Sequence, residues 1–205
     1  MKASADVIGF ILAGGGSRRM GGTPKGLLPI GDEPMLAHVI RRFENQVGAL
    51  YLNSNLPPDL ITDFGMEIVD DLVGSGDGPL AGLVTAIRTA TMRHPDAAWV
   101  ATAPWDCPFL PLDLAERLME QAEPGGGAFA ISGGQHHPIA ALWSVELLPK
   151  LETEFANGMR SATAWSEKIS AKGVIFDGGR VDPFFNVNSR EDLAEAERRI
   201  RSGEA

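Results

Sequence analysis

VIGFILAGGGSRRMGGTPK, residues 7–25, decides the fold. Its first six residues are a short, continuous apolar run rich in β-branched and aromatic side chains, as expected of a strand buried on both faces. The run stops at Gly14-Gly15-Gly16, and the loop that follows holds Arg18, Arg19 and Lys25. Glycines let backbone N–H groups approach a phosphate or a base, and the cations neutralise a polyphosphate. No Gly-Lys-Ser/Thr closes the loop, so it is not a Walker loop. The third glycine of the dinucleotide fingerprint falls on Arg19, so it is not that motif either.

Outward from this loop, strands and helices alternate. Residues 34–47 (PMLAHVIRRFENQV) put Met35, Leu36, Val39, Ile40, Phe43 and Val47 on one helical stripe, with proline suitably placed in the first turn. Strands are expected at 49–53, 66–69 and 97–103, and a helix at 79–93. This order implies parallel βαβ units. Further on, the pattern predicts helices at 112–122, 145–156 and 162–169 and strands at 128–132 and 139–143. Ser189 with Asp192 three residues later predicts an N-capped closing helix. The expectation is a single α/β domain over 1–205, a three-layer α/β/α arrangement with a Rossmann-like, mostly parallel sheet. Its half with the glycine-rich loop spans about 6–110 and its second half about 111–200.

The 205 residues carry 18 Lys and Arg against 27 Asp and Glu, a net charge of −9. That balance argues against a nucleic-acid duplex or an anionic membrane as the main partner. With 44% hydrophobic and 22% charged residues, the chain has enough apolar material for a core. The single cysteine, Cys107, excludes an intramolecular disulfide and any zinc site needing two thiolates. A soluble protein of the reducing cytoplasm is expected.

Several polar residues follow predicted strands, where open parallel sheets bind ligands. Asn53 ends one strand and is placed to read a base or fix a ribose. Asp70-Asp71 follows another. Asp106 lies in Pro104-Trp-Asp-Cys-Pro108, where two prolines restrict the turn and aim a carboxylate at the ligand edge. A single carboxylate suits Mg2+, which completes its shell with phosphate oxygens and waters. Cys107 beside it is read as a small buried apolar residue. Adjacent His136 and His137 point to opposite faces of a strand, which makes a poor chelate. The period-two spacing of Asn186 and Asn188 sets both amides on one side of a strand. Gly78 to Gly82 supplies a helix N-terminus suited to an anion.

Taken together, these motifs resemble the molybdenum cofactor guanylyltransferases, the MobA family. The resemblance rests on the Leu12-to-Lys25 loop, Lys25-Gly-Leu-Leu28, Gly31-x-x-Pro34, Asn53, Asp70-Asp71, Gly78-Pro-Leu-Ala-Gly82, Pro104-x-Asp106-x-Pro108, His137-Pro-Ile-Ala140 and Phe185-Asn-Val-Asn188. It runs from about residue 6 to 200. It implies a nucleotide-diphospho-sugar transferase type of fold, GTP and Mg2+ as ligands, and transfer of GMP to the terminal phosphate of molybdopterin with release of pyrophosphate. On that resemblance Leu12, Ala13, Gly14 and Gly15 form the nucleotide-facing backbone, and the Gly14-Gly15 pair favours guanine over cytosine. Arg19 and Lys25 hold the triphosphate, Asp71 contacts the guanosine, and Asp106 holds the metal. His137, Asn186 and Asn188 border the acceptor. The implied partners are GTP, molybdopterin and molybdoenzymes or their chaperones, with the chain acting as a monomer. Two alternatives stay open: a CTP-dependent molybdopterin cytidylyltransferase or another nucleotidylyltransferase, and a non-catalytic nucleotide-binding protein that delivers cofactor.

Overall fold

The structure, a computed structural model, describes residues 4–14, 23–72, 78–176 and 179–204. Its centre is a seven-stranded sheet in the order β5-β4-β1-β6-β8-β7-β9. The strands are β1 (Ser4–Leu12), β4 (Val47–Asn53), β5 (Glu67–Val69), β6 (Trp99–Pro104), β7 (Gly127–Ser132), β8 (Gln135–Ser144) and β9 (Lys172–Ile175). A separate two-stranded hairpin joins β2 (Pro29–Ile30) to β3 (Glu33–Pro34). In the main sheet only β8 runs against its neighbours, pairing antiparallel with both β6 and β7, and the other pairings are parallel.

The apolar run Val7–Leu12 that completes β1 is buried on both faces because strand side chains alternate. Val7 and Ile11 enter one cluster with Leu36, Val39 and Phe43 of helix α1 (Met35–Phe43) and Leu114 and Leu118 of α3 (Leu114–Met119). Ile8, Phe10 and Leu12 enter the opposite cluster. There they meet α2 (Pro79–Arg93), Leu151 of α4 (Leu148–Ala156) and Trp165 of α5 (Ala162–Lys168). This is the expected three-layer α/β/α arrangement. Helix α6 (Arg190–Ser202) packs Ala196 in a third cluster with Ile30, Met35, Phe109 and Val187.

α2 begins and ends where the sequence places it, since Pro79 opens it and its buried stripe is continuous. The expected capping box at Ser189 and Asp192 is present. Other elements differ in detail. The helix expected over 34–47 tightens into a 3-10 turn at Glu44–Gln46, and Val47 begins β4. The helix expected over 112–122 is shorter, and the one over 145–156 opens as a 3-10 turn at Val145–Leu147. Asn186 and Asn188 lie in a segment outside any strand, where Val187 N–H donates to the Asp106 carbonyl (3.0 Å) in place of a strand ladder. β9 and the β2–β3 hairpin have no counterpart in the sequence-based expectation. Among the described residues no helix is long and apolar enough to cross a membrane.

Candidate active site

The carboxyl ends of β1, β4, β5 and β6 share one edge of the sheet, and β1 is where the chain order reverses. Such a switch point is where open α/β sheets take ligands. Backbone bonds carry the ladder past the strand ends: Ala13 N–H donates to the Asn53 carbonyl (2.9 Å) and Trp105 N–H to the Leu12 carbonyl (3.4 Å). Leu12, Ala13 and Gly14 therefore leave the sheet between the turns that carry Asn53 and Asp106. Among the described residues a Cβ at Gly14 would meet nothing within 4 Å. Gly15, Arg18 and Arg19 lie outside the described residues.

Lys25 sits in a 3-10 turn, Lys25–Leu27, whose Gly26 lies flat on Trp105. A Cβ on Gly26 would be 2.4 Å from the indole ring, closer than any real contact. That approach brings Lys25 Nζ to 3.3 Å from Asp106 Oδ2, and the two side chains are only 13% and 10% exposed. Lys25 also donates to Asn188 Oδ1, and the Asn186 amide stands close enough to Asp106 to favour its ionised form. Both amides thus reach the Lys25–Asp106 pair although no strand sets their spacing. Burial pushes the Asp106 carboxyl above its ordinary value, while Lys25 and the Asn186 amide pull it down.

Asp71 forms the second polar centre. Its Oδ1 accepts from Asn53 Nδ2 at 3.0 Å and its Oδ2 from Asn55 Nδ2 at 2.6 Å. Asn53 is 5% exposed, and its other amide hydrogen goes to the Val69 carbonyl, 3.0 Å. Gly82 of α2 makes room for it: a Cβ there would stand 2.7 Å from Asn53 Oδ1. Asp70 is exposed. The N-terminus of α2 is less open than the sequence suggests. Pro79 has no N–H, Leu80 donates to the Arg160 carbonyl (3.4 Å) and Ala81 to the Gly78 carbonyl (3.2 Å).

The β7–β8 hairpin turns at Gly133 and Gly134, both at positive φ as a two-residue hairpin requires. Because β8 runs antiparallel to β6, its N-terminal end lies at the ligand edge. His137 is half-buried there and stacks on Phe184 with ring centroids 4.7 Å apart. Ser132 Oγ donates to Asp182 Oδ1 (2.7 Å) and lies 2.8 Å from His137 Nε2. A carboxylate only accepts, so the serine hydrogen is committed and His137 must donate from Nε2. Burial holds His137 below the ordinary imidazole value, against the pull of Asp182. His136 instead tilts against Phe129 and is exposed. The Ser132–Asp182 link had no signal in the sequence, since the partners are fifty residues apart.

Cys107 is buried, its Sγ facing the Phe184 carbonyl at 3.5 Å, and burial with Asp106 and Asp182 nearby pushes the thiol well up. It is poorly suited to act as a nucleophile. A cavity of about 200 Å³ lies apart from these residues, lined by Arg42, Phe109, Arg117, Phe176, Arg180 and Val181. Two of its arginines hold its walls: Arg42 Nε donates to the Leu110 carbonyl, and Arg117 stacks 4.0 Å over Phe176. Among the described residues no three His, Cys, Asp or Glu side chains cluster as a metal cage. A solitary buried carboxylate such as Asp106 suits a hard cation that takes its remaining ligands from phosphate and water.

The similarity of the chain to known proteins agrees with this layout. A family model described as a MobA-like NTP transferase domain matches residues 9–171. A molybdenum cofactor guanylyltransferase of Mesorhizobium japonicum is 40% identical over 203 residues, covering 96% of this chain and 97% of that protein. One of Nitrobacter hamburgensis is 39% identical over 193 residues, covering 93% and 92%. Among solved structures, the molybdopterin-guanine dinucleotide biosynthesis protein A of Archaeoglobus fulgidus superposes with a TM-score of 0.75 at 20% identity, covering 95% of this chain and 99% of that one. The glycine loop that leaves a buried strand, the polar residues at one sheet edge and near-full-length identity to these relatives agree: the chain belongs to the MobA-like family of molybdenum cofactor guanylyltransferases.

Proposed function

We propose that the chain transfers GMP from GTP to the terminal phosphate of molybdopterin, giving molybdopterin guanine dinucleotide and pyrophosphate. The observation that carries this reading is the meeting of Lys25, Asp106, Asn186 and Asn188 at one strand edge, with the Asn53–Asp71 pair at the neighbouring strand ends. An oxygen of the acceptor phosphate forms the new bond to the α-phosphorus of GTP as the bond to the β-phosphate oxygen breaks. Pyrophosphate leaves with that electron pair. The acceptor oxygen is already ionised at neutral pH, so no side chain needs to remove a proton, and the protein contributes positioning and charge.

Leu12, Ala13, Gly14 and Gly15 provide the backbone beside the nucleotide. Asn53 and Asp71 hold the guanosine. Lys25, with Arg19, neutralises the triphosphate and the departing pyrophosphate. Nucleotidyl transfer of this family's kind uses a divalent cation, and Asp106 is the residue we assign to Mg2+. When bound, the ion withdraws charge from phosphate oxygens. Lys25 is the countercharge of Asp106, and its ammonium would be available to phosphate where a cation held by Asp106 balanced the carboxylate. Asn188 then orients the ammonium and Asn186 the carboxylate, and His137 lies on the acceptor side. We read residues 1–205 as one such domain, working as a monomer in the cytoplasm and passing its product to molybdoenzymes or their chaperones.

Labelled GTP tests the reaction directly. Label at the α-phosphorus should appear in the pterin product and label at the γ-phosphorus in pyrophosphate. Label from the γ position in the pterin, or none from either, contradicts the reading.

A further inference from the structure

The geometry points to Asn55 as a positioning residue that sets base choice, and the inference rests on the guanylyl-transfer reading above. Asn55 lies two residues beyond the end of β4, on the same side as Asn53. Ser54 N–H donates to the Val69 carbonyl (3.0 Å), which prolongs the β4–β5 ladder and keeps that alternation. Asn55 then grips Asp71 twice: its Nδ2 donates to Asp71 Oδ2 at 2.6 Å, and its Oδ1 accepts from the Asp71 backbone N–H at 2.9 Å. Asn53 Nδ2 holds the other carboxylate oxygen. The amide orientations are chemically forced, since the reversed amides would set oxygen against oxygen.

An ionised carboxylate has about two acceptor positions on each oxygen. Among the described residues the two asparagines take one on each, which leaves one on each as a fork in a fixed plane. Two neighbouring acceptors match a ligand edge with two neighbouring N–H donors. Among the common nucleobases only guanine has that edge, N1–H beside the 2-amino group. Cytosine and adenine offer a donor beside an acceptor, and uracil offers a donor between two carbonyls. Asn55 touches no base in this scheme. It acts by fixing the plane of Asp71, and without it the carboxylate pivots on the single Asn53 contact.

The test compares GTP with inosine triphosphate, which lacks the 2-amino group, as donors for the unmodified protein and for Asn55→Ala. The unmodified protein should prefer GTP by about 10-fold or more in kcat/KM, because a site built to bond a donor rejects the analogue lacking it. Asn55→Ala should lose most of that ratio, to within about 3-fold, through a higher KM for GTP with kcat little changed. Asn55→Asp, which sets one carboxylate against another, should weaken GTP further. Asn55 is exposed, so both variants should melt near the unmodified protein. Equal use of the two nucleotides by the unmodified protein overturns the inference. So does an Asn55→Ala variant that keeps the GTP preference, including one that slows both donors alike. Turnover of CTP in place of GTP by the unmodified protein removes the guanylyl reading itself, and that outcome is visible before any variant is made.

Discussion

At Asp106 a buried carboxylate meets Lys25 and Asn186, while the residue's backbone carbonyl accepts from Val187 N–H. Asp106→Asn keeps the shape of the side chain and an oxygen to accept from Lys25, but it removes the charge that a divalent cation needs. We expect kcat to fall by about 10³-fold or more, the several kcal/mol that a metal's charge stabilisation supplies. The melting temperature should stay within a few degrees. A variant that is folded and turns over normally would show that the metal is held elsewhere. Asp106 and Lys25 were legible in the sequence because local chemistry marks them: prolines flank one, and a glycine loop of unusual positive charge leads to the other. Asn55 was not, since an asparagine just past a strand is ordinary turn chemistry until its partner from the next strand is known. Asp71 was visible, yet the two amides that hold it come from residues 16 and 18 positions away.

Among the elements, the Lys25–Leu27 turn depends on contact with Trp105. Gly26→Ala forces a Cβ against the indole and shifts the turn that carries Lys25. Overpacking of this kind costs about 1–3 kcal/mol. A displacement of the order of an ångström in a positioning residue should lower kcat/KM by about 10- to 100-fold. Thermal melts and steady-state kinetics check the two effects separately, and an unaltered protein would mean the contact is soft. At the other end of the chain, Asp192 caps α6 by accepting from the backbone N–H groups of Asn188 and Ser189, each within 2.9 Å. Burial opposes ionisation, but these bonds keep the Asp192 carboxyl below its ordinary value. A lowered folded-state value means the contribution is present above the unfolded value and is lost as pH falls through the folded one. Asp192→Ala should therefore cost about 1 kcal/mol near neutral pH. In urea melts the gap from the unmodified protein should narrow below about pH 4. A gap independent of pH would assign the loss to packing. Helices such as α2 and α6 could be read from the sequence because their starts, a proline and a capping serine, are local signals. β9, with four residues, and the two-residue strands β2 and β3 exist only through their partners, so periodicity had nothing to register.

Over the whole molecule, a net charge of −9 coexists with a site that must hold a triphosphate. The sheet resolves this by collecting Lys25 and the Ala13-Gly14 backbone at one edge, while its two faces are closed by apolar clusters. The parallel half, β5-β4-β1-β6, was evident from alternating strands and helices. The antiparallel return of β8 was not, because it depends on pairing with β6 between residues as far apart in the chain as Trp99 and Ser144. That return brings His137 to the ligand edge, and no local pattern in the sequence announces it. Mg2+-dependent pyrophosphate release with molybdenum-loaded molybdopterin, comparing GTP, CTP, ATP and UTP in parallel, engages donor and acceptor in one assay. Release with GTP, and little or none with the other three, is the expected result. Release with CTP in place of GTP would overturn the base assignment, and folded, nucleotide-binding protein that releases pyrophosphate from none of them would contradict the enzymatic role.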